Sequence, residues 1–169
     1  MKKYILSLSV FIVSAIIIFS CRKDVGTLDT TFTDAKFFAL IQGDTIGGGY
    51  YKDASNNSTF TSDAAHGAKP YKLRLNKKGF LALTNAGKLP NGGSFPDSSL
   101  VVKELHSSVI TDPIANYGAL YKLNGTWNWA KFTASGTVVF GIHDNSTTDC
   151  KSCHSANPND YVLTFAVHP

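Results

Sequence analysis

The chain is poor in methionine, cysteine and charge. Its single methionine is Met1, and its three cysteines are Cys21, Cys150 and Cys153 among 169 residues. Charged residues make up 17% of the sequence and leave a formal net charge of +4. Removal of Met1 to Ser20 would take away Lys2 and Lys3 but no acids, leaving +2. Such a weak balance, with its basic residues scattered along the chain, argues against a nucleic-acid partner. No internal repeat is present. The length suits one domain with a modest core, and the 12% aromatic content would help enclose a large apolar ligand.

What the chain does have is Cys150-Lys151-Ser152-Cys153-His154, a C-x-x-C-H sequence. This is the attachment signature of c-type haem: two thiols add to the vinyl groups, and the adjacent histidine becomes an axial ligand of the iron. A zinc site would need further Cys or His ligands at short spacing, and a thioredoxin-like pair would need a strand before it and a helix after it. The sequence suggests neither context. Only Ser155 to Pro169 follow the motif, so whatever covers the other haem face must come from upstream.

At the other end, Lys2 and Lys3 lead into the apolar stretch from Tyr4 to Phe19. The stretch is interrupted by Ser7, Ser9 and Ser14 and is shorter than the ~20 apolar residues of a membrane-spanning helix, which suits a signal-peptide core. Ile18-Phe19-Ser20-Cys21 resembles a bacterial lipobox, with Phe19 bulkier than usual. The expected organisation is a lipoprotein signal peptide over 1–20, a tether over 21–32 lipidated at Cys21, and a haem domain over 33–169. Lipid on Cys21 and haem on Cys150 and Cys153 would use every thiol and leave none for a disulfide. Bacterial haem c attachment takes place outside the cytoplasmic membrane, so both assignments place the protein in the bacterial cell envelope, facing the periplasm or the exterior.

Hydrophobic periodicity divides the domain in two. A helix is expected behind Asp34, with Phe37, Phe38, Leu40 and Ile41 on it and Gly43 ending it; a second runs from Lys77 to Ala86 after Asn76. Gly47 to Asn57 reads as loop-rich, Tyr71 to Leu75 as a strand, and Gly87 to Asp97 as a connection. Strands are then expected over Leu100 to His106, Gly118 to Leu123, Thr126 to Thr133, Gly136 to Ile142 and Tyr161 to Val167, with Asn124-Gly125 and Ser135-Gly136 as turns. The fold class is α+β: N-terminal helices and a curved, mostly antiparallel β-sheet, with one c-type haem near the C-terminus. Small helical cytochromes carry the motif near their beginning, and four-helix cytochromes lack such two-residue periodicities.

The lack of methionine bears directly on the iron. A chain that has lost Met1 cannot supply His/Met ligation, so the options are bis-His, His/Lys or five-coordinate iron with an open site. His66, His106, His143 and His168 are the histidines available as a sixth ligand. Each has an ordinary alternative in solvent or a strand end, and an open or water-filled site is preferred.

Several segments together resemble the cytochrome P-460 family, a β-rich haem c fold that includes the cytochromes c-prime-beta. They are Asn76 with the helix after it, Gly87-Lys88, Ser94-Phe95-Pro96-Asp97, Leu100 to Glu104, Trp127 and Trp129, then C-K-S-C-H followed by Asp160-Tyr161-Val162-Leu163-Thr164. The resemblance covers roughly Ala35 to Val167 and implies a five-coordinate haem with His154 as proximal ligand. In the P-460 enzymes a lysine is also bonded to the porphyrin, and hydroxylamine is oxidised. In the c-prime-beta relatives that bond is absent, and an apolar pocket binds nitric oxide or carbon monoxide. The implied register points to Phe80 and Leu81 as an apolar distal wall, and to Lys77 and Lys78 as positions for a cross-link, although a solvated helix start suits those lysines better. Ser98-Ser99 stand where the family has glycine after Pro-Asp.

These observations define two main expectations. One is a lipid-anchored, mono-haem protein that binds nitric oxide or another small ligand. The other is an oxidoreductase of hydroxylamine or a related nitrogen compound, which would need a proton acceptor near the iron; Glu104, His106, His143 and Asp144 are the groups of suitable chemistry. A bis-His electron carrier and a haem-free interaction module complete the alternatives. The expected cofactor is one covalent haem c. The expected partners are a small diatomic or nitrogenous ligand, a redox protein, the membrane through the lipid, and a second copy in a homodimer.

Overall fold

The structure is a computed structural model that describes residues 31–43, 49–50, 59–61, 67–83, 93–144, 147–155, 160 and 162. Its elements in chain order are α1 (Asp34–Gly43), β1 (Gly49–Tyr50), β2 (Phe60–Thr61), β3 (Pro70–Leu75), α2 (Lys77–Leu81), β4 (Leu100–His106), β5 (Ile114–Leu123), β6 (Thr126–Thr133), β7 (Val138–Phe140) and α3 (Thr147–His154). The fold is α+β. One antiparallel sheet runs β1-β3-β4-β5-β6-β7, with β2 also paired to β3.

The middle of the sheet follows from its sequence. Six of the seven β4 residues are buried, as expected of a central strand covered on both faces. β5 and β6 form a hairpin whose register pairs Leu123 with Thr126. Both turn residues have positive φ, 52° at Asn124 and 74° at Gly125, the requirement of a two-residue type I′ turn and the reason for the Asn-Gly sequence.

Strand alternation separates two apolar layers. On the first face, Tyr71, Leu73, Leu75, Val101, Leu105, Trp127 and Trp129 pack with Phe60, Phe95 and Val162. On the second, Leu100, Val102, Ala119, Ala130 and Phe132 pack with Phe32, Phe37 and Ile41. Helix α1 lies on the second face because Phe37 and Ile41, one helical turn apart, are both fully buried there. Each such side chain contributes about 2 kcal/mol in burial. Asp34 Oδ1 accepts from Ile142 N at 2.9 Å, tying the start of α1 to the segment after β7. Arg74 Nη2 donates to Ile41 O at 2.9 Å near its end.

Sequence expectation and structure differ at several elements. Helix α2 ends at Leu81, with Ala82 as its C-cap, although the apolar pattern extended to Ala86; Thr84 to Ala86 lie outside the described residues. Strand β5 begins at Ile114, four residues earlier than its alternation suggested, and β7 is confined to Val138–Phe140. The expected strand at 161–167 lies outside the described residues except for Val162, as do the signal and tether segments up to residue 30. Helix α3 was not expected. Its sequence, TTDCKSCH, has no aliphatic or aromatic periodicity to reveal it.

Candidate functional site

The C-x-x-C-H motif forms the last five of the eight residues of α3. Cys150, Cys153 and His154 stand at i, i+3 and i+4, which puts two thiols and an imidazole on one stripe of the helix. Cys150 is half-buried and packs against the first-face cluster, while Cys153 is exposed. The His154 ring meets the Trp129 ring edge to face, with centroids 4.9 Å apart and planes at 79°. This is a favourable aromatic geometry, and it orients the imidazole from the sheet side. One strand repeat along β6, Trp127 is set edge to face with Phe95 at 5.6 Å.

Helix α2 reaches the same apolar cluster from the other side of the sequence. Ala82 and Leu83, at its end, pack on that cluster, and a Cβ added to Gly79 would lie 3.5 Å from Leu75 and 3.6 Å from Ser99. Just before Ala82, Phe80 is 44% exposed and Leu81 is 72% exposed. Two large apolar side chains in solvent suit an apolar covering group. Lys77 and Lys78 are exposed on the first turn of α2.

Asn76 fixes where α2 begins. Its side-chain Oδ1 accepts from Gly79 N at 2.9 Å and from Leu100 N at 3.1 Å, and its Nδ2 donates to Ser98 O at 2.8 Å. One side chain thus caps the helix and joins it to β4. Ser98 adopts φ 68°, the left-handed conformation that a glycine in this turn would supply without strain.

The proposed acid–base residues are dispersed. Glu104 and His106 share the second face of β4 with Leu100 and Val102 by strand alternation, away from α3. Glu104 Oε1 pairs with Arg74 Nε at 3.0 Å in a buried ion pair, and His106 Nδ1 is 2.6 Å from Asp112 O. His143 and Asp144 are exposed in the turn after β7, where Asp144 N donates to Gly141 O at 3.1 Å. His66, His168 and Cys21 lie outside the described residues. The four residues offered as proton acceptors therefore do not form one constellation.

Lys122 had no role in the sequence expectation, and Asp160 entered it only as the start of the Asp160-to-Thr164 segment. The buried Lys122 Nζ contacts Asp160 Oδ2 and Ser94 Oγ, each at 2.5 Å, and lies 5.4 Å from the centre of the Trp127 ring. Asp160 Oδ2 also accepts from Phe95 N at 2.8 Å. The segment following α3 is thereby attached to β5 and to the loop before β4. Alternation gives one signal for Lys122, because it occupies a first-face position between Leu120 and the end of β5.

The donor set fits a haem. Among the described residues no three or more His, Cys, Asp or Glu side chains gather as ligands for a bare metal ion. Haem iron needs only one protein ligand when the macrocycle provides four, and His154 lies beside two thiols and a broad apolar face. A cleft of about 430 Å³ on the other side, lined by Ala39, Leu40, Leu100 and Tyr121 among others, lacks such chemistry. No helix among the described residues is long and apolar enough to cross a membrane.

No known family model matches the chain, and neither a curated protein nor a solved structure matches it.

Proposed function

We propose that the protein is an exported, mono-haem c-type cytochrome of the P-460-like class, anchored by lipid on Cys21, that binds nitric oxide or a similarly small ligand at an open iron position. The observation that carries this reading is the single stripe formed by Cys150, Cys153 and His154, set against Trp129 on an aromatic sheet face. Cys150 and Cys153 hold the haem covalently, and His154 is its proximal ligand. The haem, when bound, supplies an iron centre that takes a diatomic ligand and exchanges an electron. Trp129 orients the imidazole, the packed Phe95, Trp127 and Trp129 rings keep water from the sheet side, and Phe80 and Leu81 serve as the apolar distal wall.

The absence of a methionine other than Met1 supports the open position. A bis-His carrier gains nothing from His106, which strand alternation puts on the sheet face opposite α3. Oxidation of hydroxylamine would require a nearby proton acceptor, and Glu104 and His106 are turned away from α3. A solvated helix start suits Lys77 and Lys78 better than a haem cross-link.

The test is production of the full chain, with export, in a host that matures haem c. Intact mass and a pyridine haemochrome spectrum should give one covalent haem per chain, held by two thioether bonds. In Cys153→Ala that double attachment should be lost. A wild-type chain that is exported without haem would contradict the proposal.

A further inference from the structure

Trp127 carries a polar atom that the fold leaves unused. Its side chain is 5% exposed, and its indole Nε1 is buried without a hydrogen-bond partner among the described residues. A buried donor left unsatisfied is costly, and the few native examples call for an explanation such as a ligand or an ordered water. Trp127 belongs to the same apolar cluster as Trp129, and Cys150 packs against that cluster. It sits two residues from Trp129 on β6, roughly 7 Å along the backbone, so the two side chains are on the same face. The ring that touches His154 and the ring with the spare donor are therefore immediate neighbours on one face.

We infer that the Trp127 indole N–H is the hydrogen-bond donor to an acceptor oxygen of the group bound on this face. The inference rests on the haem reading above. Two oxygens have the required chemistry: a carboxylate at the rim of the macrocycle and the outer atom of an iron-bound diatomic ligand. Phenylalanine at this position would retain much of the ring packing against Phe95 and remove only the donor. Loss of one ordinary hydrogen bond is about a fivefold effect on an equilibrium or a dissociation rate.

Resonance Raman spectra of haem-loaded wild type and Trp127→Phe test this. A shifted propionate bending band in the ligand-free ferrous variant assigns the rim carboxylate. Shifted Fe–C and C–O stretches in the carbonyl complex, with carbon monoxide leaving about fivefold faster, assign the iron-bound ligand. In the wild-type carbonyl complex, one of the two tryptophan indole N–H signals in a nitrogen-15 correlation spectrum should be displaced downfield, and that signal should be missing in the variant; this measurement does not depend on how well the variant folds. Unchanged bands in a haem-loaded variant, with no displaced indole signal in wild type, would overturn the Trp127 assignment alone. Wild-type chain lacking covalent haem would overturn the functional reading and this inference with it.

Discussion

Asp160 and Lys122 form a nearly buried ion pair between residues 38 apart in sequence, with side chains 13% and 5% exposed. The same carboxylate oxygen accepts from Phe95 N and Ser94 Oγ, so one acid gathers β5, the loop before β4 and the chain after α3. Removing one member of a buried pair leaves the other charge without compensation, at a cost of about 3 kcal/mol. Asp160→Ala should therefore lower the urea unfolding free energy by about that amount, and Lys122→Met should do the same. The double variant Asp160→Leu/Lys122→Met should recover part of the loss. Strictly additive losses would show that the pair is not coupled.

Ser98 should be improved by glycine. Its φ of 68° places a side chain in the left-handed region, where L-residues are disfavoured. Ser98→Gly relieves that strain while adding some freedom to the unfolded chain, for a net gain of about 0.5 kcal/mol. A rise in the urea midpoint with an unchanged slope is the expected result. A fall would mean that the turn does not need the left-handed conformation.

Glu104 provides a separation of structural from chemical roles. Its carboxylate is held by Arg74, which also donates to the end of α1, so Glu104→Leu should lose about 3 kcal/mol of stability. The haem spectrum and the nitric oxide response of the folded fraction should not change. An altered ligand response at unchanged stability would return Glu104 to the list of acid–base groups.

The parts of the fold legible in the sequence were those with complete local signals. Strands β4 and β6 match their expected limits because apolar runs end at turns, and Asn124-Gly125 states the hairpin outright. Asn76 marked the start of α2, but its bonds to β4 depend on strand order and could not be read locally. The first half of β5 is half-buried throughout, so it has no clear alternation. Helix α3 carries no such signal, because Cys150 and His154, rather than leucine or phenylalanine, are the residues it sets against the sheet. The motif itself was readable, and so was the shared parity of Glu104 and His106. Which face received α3 was not, because that depends on the pairing of β4 with β5 and β6 and on the contact between His154 and Trp129.

The most direct test of the account is the optical spectrum of the haem-loaded, ferrous full chain before and after nitric oxide is added. Five-coordinate iron with His154 as the protein ligand predicts a high-spin spectrum that converts stoichiometrically to a nitrosyl form. A low-spin ferrous spectrum that does not respond to nitric oxide would contradict the open site and favour a second protein ligand on the iron.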